Sequence, residues 1–135
     1  MKRYSESVED YLETILMLGK KGNTVRSIDI ARQLDFSRPS VSIAMKNLRE
    51  EGYITMGEGG SIELTQNGRE VAQRVYERHK LISEWLIYLG VDEKTALRDA
   101  CKMEHGLSES SYQALKRHIE DQAGNVSNKS WRSEQ

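Results

Sequence analysis

Apolar residues recur at three- and four-residue intervals along most of this chain, with one short interruption by two alternating segments. From Ser5 to Lys20 the series Val8, Tyr11, Leu12, Ile15 and Leu16 predicts an amphipathic helix, capped by Ser5 or Ser7 and ended by Gly19 and Gly22. A short helix over Ser27–Leu34 follows, with Ile28, Ala31 and Leu34 inward. After a tight Asp35-Phe36 link, Ser37 suits an N-cap, and Pro39 is tolerated in the first turn of a longer helix, where N–H groups lack intrahelical partners. That helix buries Val41, Ala44, Met45 and Leu48 and stops near Gly52. Two helices joined by so short a link form the helix-turn-helix pattern.

Tyr53–Met56 and Ser61–Leu64 alternate in the manner of strands around Gly57-Glu-Gly-Gly60, which predicts a hairpin and makes the first module a winged helix-turn-helix. Thr65 caps a long helix running to about Leu89, with Val71, Val75, Ile82, Leu86 and Leu89 as its stripe. Asp92 caps a further helix with Leu97, Ala100, Cys101 and Glu104 on one face, which Gly106 stops. Ser108 opens a last helix carrying Tyr112, Leu115 and Ile119. The expected organisation is mainly α: a winged helix-turn-helix domain over 1–68, an all-helical domain over 69–123, and a flexible tail over 124–135.

Composition narrows the function classes. The 135 residues suit one or two small domains, and no apolar run approaches the roughly 20 residues needed to cross a bilayer. The amino-terminal MKRYSESVEDY turns polar where a signal peptide is apolar, so a soluble, cytoplasmic protein without membrane partners is expected. A balance of 20 basic against 21 acidic residues provides no global attraction to phosphate, so nucleic-acid binding requires a local patch or a bound cation. The chain shows neither a glycine-rich phosphate loop nor a nucleophile motif, and nearly half of it reads as a DNA-binding module; an enzyme is not expected.

One stretch concentrates chemistry. In CKMEHGL, Cys101, Glu104 and His105 stand at offsets of three and four, so thiol, carboxylate and imidazole share one helical face. Taken alone, the triplet also reads as a small core thiol, an exposed charge and a helix-terminal cation. His79 changes the balance: it follows Val75 by four and precedes Ile82 by three, inside an apolar stripe where an imidazole is costly without a partner. Asp10 and Glu13 form a second acidic pair on the first helix. If that helix leans against the second module the pair joins the site, and if it faces water the pair is ordinary helix-start charge. Carboxylates with imidazoles suit manganese(II) and ferrous iron, whereas a closed structural zinc site favours more thiolates; one or two divalent ions fit the donors.

Glu9-Asp-Tyr-Leu-Glu13, Ser37-Arg-Pro-Ser-Val-Ser42, Leu64-Thr-Gln-Asn-Gly68, Arg78-His79 and Cys101-Lys-Met-Glu-His105, in that order, resemble the diphtheria toxin repressor family of metal-dependent transcriptional regulators, and within it the short manganese transport regulators. The similarity runs from about Ser7 to Ile119. It implies a homodimer in which metal bridges the winged-helix domain and a helical dimerisation domain, and which represses genes for metal uptake. Asp10, Glu13, His79, Glu104 and His105 match the ligands of the manganese regulators. Cys101 departs from them, because that branch has glutamate there and the iron-responsive branch has cysteine. The longer iron-responsive members add an SH3-like third domain that 135 residues do not accommodate. Their additional metal site also lacks its ligands, with Ser83 and Leu97 at the corresponding positions.

For double-stranded operator DNA, the expected contacts are Arg26 together with Ser37, Arg38, Pro39, Ser40, Ser42, Ile43 and Lys46 of the recognition helix. Ile43 either touches a thymine methyl or packs against the wing. The wing tip, Gly57-Glu58-Gly59, is acidic and ill suited to phosphate. Two rival readings are a winged-helix regulator of a small organic ligand, which needs an apolar pocket, and a redox sensor working through Cys101.

Overall fold

The computed structural model describes residues 6–125. It contains α1 (Glu6–Lys20), α2 (Ser27–Leu34), α3 (Arg38–Glu50), β1 (Ile54–Met56), β2 (Ile62–Leu64), α4 (Gln66–Tyr88), α5 (Glu93–Gly106) and α6 (Glu109–Asn125). Two compact units divide the chain, Met1–Val75 and Tyr76–Gln135, and the division falls within α4.

In the first unit α1 packs on α2 and β2, while α3 packs on α2 and β1. Every side chain of α1 from Tyr11 to Leu16 is buried, polar Glu13 and Thr14 included. The α2–α3 link is tight because Asp35 takes a left-handed conformation (φ 59°), which the short side chain of Asp tolerates. Ser37 caps α3, its Oγ accepting from the Ser40 N–H at 3.3 Å, with Pro39 in the first turn. The apolar residues of α2 are divided differently from the expectation: Ile30 and Ala31 are buried, while Ile28 and Leu34 are half-buried. Four apolar positions in eight residues fit two overlapping faces, and the neighbouring elements choose between them. Ser7 lies inside α1 rather than capping it, and Ser5 lies outside the described residues.

The hairpin is antiparallel, with Thr55 opposite Glu63, and a 3₁₀ turn over Glu58–Gly60 closes it. The Ile62 N–H donates to the Val25 carbonyl at 2.8 Å, which holds β2 to the segment before α2. Thr65 fastens the start of α4 twice: its Oγ1 donates to the Gly52 carbonyl at 2.6 Å and accepts from the Gly68 N–H at 3.2 Å. Gly68 passes so close to the Tyr53 carbonyl that a Cβ there would meet it at 2.0 Å.

In the second unit Leu81, Tyr112 and Ile119 form the buried core, with Trp85, Leu107 and Leu115 packed against it. Residues 81–84 are buried in succession, so α4 is covered on all sides there and the expected single stripe does not continue. Leu86 is half-buried and Leu89 exposed. On α5 the buried line is Ala96, Ala100 and Glu104, spaced by four; Leu97 lies one residue off that line and is exposed. The last helix continues through Gly124 to Asn125, where a tail had been expected, and 126–135 lie outside the described residues. No helix among the described residues is long and apolar enough to cross a membrane.

Candidate metal centre and nucleic-acid interface

The ligand candidates of the second unit stand on two helices. Asp92 starts α5, its Oδ2 accepting from the Thr95 N–H at 3.1 Å. Those hydrogen bonds from Thr95 hold the exposed Asp92 carboxyl below its ordinary value of 3.8. Three turns later, Glu104 ends the buried line and His105 follows it. Their side chains are 1% and 4% exposed, and His105 Nε2 stands 3.7 Å from Glu104 Oε1. Donor atoms of His79 and Glu104 lie within 4.8 Å of each other, as do those of Cys101 and His105. Imidazole, carboxylate, imidazole and thiol therefore succeed one another from α4 to α5.

Burying a carboxylate among imidazoles is unfavourable in the absence of compensating positive charge, which a divalent cation would supply. The donors are of the kinds that hold manganese(II) or ferrous iron. His79 is also oriented as ligating histidines commonly are. Its Nε2 lies 3.1 Å from the Leu97 carbonyl, and the tautomer that donates there makes Nδ1 the acceptor nitrogen. The exposed Leu97 side chain thus gives no hint of the role played by its backbone.

Arg78, quoted above only as the neighbour of His79, has a structural part that spacing did not reveal. Its Nη1 donates to the carbonyls of Glu104 (3.2 Å) and Leu107 (3.1 Å), and its Nη2 to Glu109 Oε1 at 2.6 Å. The guanidinium also lies 4.6 Å from the centre of the Tyr112 ring. One side chain thereby ties the end of α5, where Glu104 and His105 sit, to the beginning of α6. Ser83, at a position where longer relatives were expected to bear a ligand, is buried and donates to the Lys80 carbonyl of its own helix at 3.1 Å.

Asp10 and Glu13 belong to the first unit, on α1. Asp10 is half-buried, and Glu13 is 7% exposed, so the alternative in which this pair simply faces water does not hold for Glu13. Burial, with the Asp10 charge as a second cause, pushes the adjacent Tyr11 phenol above its ordinary value. Cys101 is half-buried.

On α3, Val41, Met45 and Leu48 are buried, and Ser37, Arg38, Pro39, Ser40, Ser42, Ile43 and Lys46 are all exposed. The Ser37 hydroxyl donates to Ser40 Oγ at 2.8 Å, so these two hydroxyls are already engaged at the helix start. Arg26, exposed as expected of a DNA contact, donates through Nε to the Gly59 carbonyl at 2.9 Å and steadies the wing turn, where Gly59 has φ 68°.

Comparison with known proteins agrees with this division of labour. Residues 3–59 match the family described as "Iron dependent repressor, N-terminal DNA binding domain", and residues 65–125 match "Iron dependent repressor, metal binding and dimerisation domain". An HTH-type transcriptional regulator of Methanocaldococcus jannaschii is 37% identical over 118 residues, covering 86% of this chain and 94% of that protein. The transcriptional regulator MntR of Escherichia coli O157:H7 is 36% identical over 111 residues, covering 82% and 72%. Among solved structures, the manganese regulator SloR superposes with a TM-score of 0.74 at 26% identity, over 89% of this chain and 55% of that one. IdeR of T. acidophilum gives 0.75 at 26%, over 92% and 56%. The chain spans about half the length of these two solved chains. It belongs to the iron-dependent repressor family of metal-dependent transcriptional regulators.

Proposed function

We propose that this protein is a metal-activated repressor that holds manganese(II) or ferrous iron, one or two ions per subunit. Loaded with metal, it binds double-stranded operator DNA as a homodimer and controls genes for metal uptake. The observation that carries the reading is the succession His79, Glu104, His105 and Cys101, donor beside donor, within the segment similar to a metal-binding and dimerisation domain.

The proposed ligands are these four together with Asp10 and Glu13. A bound divalent ion supplies positive charge against the carboxylates, and Glu104 and Glu13 are both buried, where such charge matters most. The carboxylates and imidazoles serve manganese and iron alike, whereas the Cys101 thiolate adds preference for the softer ferrous ion. In the dimer, two α3 helices address half-sites about one helical turn apart. Arg38 and Lys46 contact phosphates, and Arg26 does so beside the wing.

Calorimetric titration of the metal-free protein with manganese(II), and with ferrous iron under anaerobic conditions, tests the ligand set. Saturable binding that His79→Ala and Glu104→Gln each weaken by at least tenfold is the expected result. Binding unchanged in both variants would remove these residues from the site.

A further inference from the structure

We propose that the first unit carries a binding site for an α-amino acid with an aliphatic side chain, in the cavity between the end of α1, the strand β2 and the start of α4.

The cavity has a volume of about 590 Å³, within the range of roughly 300–1,000 Å³ usual for small-molecule sites. The residues that line it all belong to the first unit, and none of the proposed metal ligands or DNA contacts is among them. Ile15, Leu16, Val25 and Ile62, each buried, form an aliphatic floor. The charged residues around that floor are Lys20 of α1, Glu63 of β2 and Arg69 of α4, all exposed. Glu63 takes the outward position of its strand, between buried Ile62 and half-buried Leu64.

A glycine marks the mouth. Gly19 lines the cavity from the last turn of α1, where glycine is unfavourable compared with alanine. Neither of the usual reasons for glycine applies there. Its φ is not positive, the left-handed residue that follows the helix being Gly22 at φ 84°. Nor is the place crowded, since a Cβ would meet nothing within 4 Å. What the missing side chain leaves is an open wall, and access for a ligand accounts for it.

The lining then narrows the ligand. Two cations suit a carboxylate, one carboxylate suits an ammonium group, and the floor takes an aliphatic side chain. A fatty acid would set its charge against that of Glu63, and an amine would set its own against those of Lys20 and Arg69. The free amino acid offers every charged group its opposite.

The test follows amide chemical shifts of the full-length, isotope-labelled protein, kept metal-free so that no paramagnetic ion broadens its signals. The probes are leucine, isocaproate, which lacks the amino group, and isoamylamine, which lacks the carboxylate. Leucine should give saturable shifts clustered at Gly19, Gly22, Thr24 and Gln73, and each analogue should bind about threefold more weakly or worse, as loss of an exposed ion pair predicts. Glu63→Gln should weaken leucine about threefold and strengthen isocaproate. Gly19→Leu, which fills the mouth at a place free of neighbours, should keep the fold and abolish the shifts. The inference would be overturned by the absence of saturable shifts with leucine, by shifts clustered elsewhere or surviving in Gly19→Leu, or by equal affinity for all three probes. None of these outcomes bears on metal-dependent DNA binding, which is measured separately.

Discussion

Arg78 donates to the backbone carbonyl of Glu104 at 3.2 Å, across 26 positions of sequence, and so fixes the turn that carries the proposed ligands Glu104 and His105 from the helix that also carries His79. Lysine at this place keeps the charge but cannot serve the Glu104 and Leu107 carbonyls and the Glu109 carboxylate with one planar fork. Arg78→Lys is therefore expected to weaken metal binding about tenfold or more while most helicity is kept, as changes to groups that orient ligands commonly do. Calorimetry and circular dichroism on one preparation check both parts; unaltered affinity would show that the fork does not position the ligands.

Two glycines make an opposed pair. A Cβ at Gly68 meets the Tyr53 carbonyl at 2.0 Å, whereas one at Gly19, inside α1, meets nothing within 4 Å. Gly68→Ala should destabilise by about 1–3 kcal/mol or more, because backbone must move. Gly19→Ala should stabilise by about 0.4–1 kcal/mol through a less disordered unfolded chain. Urea denaturation of both variants measures the contrast.

Replacing the thiol tests what Cys101 contributes. Cys101→Ser should lose the sulfur-to-metal absorption expected of the cobalt(II)-substituted wild-type protein. It should also weaken ferrous and cobalt binding more than manganese binding, since the softer ions gain more from thiolate. Equal weakening for all three ions would show that sulfur does not set the preference.

The cap of α5 implies a pH dependence with a definite sign. The folded-state value of Asp92 is lowered by the Thr95 hydrogen bonds, so its contribution is present above the unfolded value and lost as pH falls through the folded one. Wild type should therefore exceed Asp92→Asn in thermal stability at neutral pH, and the gap should close below 3.8. A gap that persisted there would assign the difference to geometry rather than charge.

Much of this organisation was legible where the governing interactions are local. The offsets from Cys101 to His105 fix a common helical face, and Ser37, Thr65, Asp92 and Ser108 all accept from backbone N–H groups at helix starts, as their positions suggested. Contacts between distant segments were not legible. Nothing in the neighbourhood of Gly68 reveals that Tyr53 lies against it, and the spacing of Arg78 does not disclose carbonyl partners 26 and 29 residues away. Ile30 shows a third limit, since in so short a helix several apolar faces are possible and tertiary packing selects one. The outward course of Leu97 and Leu89 likewise depends on neighbours rather than on period.

The most direct test of the account is fluorescence anisotropy of the labelled DNA upstream of this protein's own operon, titrated with protein in chelator, in manganese(II) and in anaerobic ferrous iron. Tight binding only with metal, abolished by His79→Ala, is the predicted result. Equally tight binding in chelator would contradict metal activation.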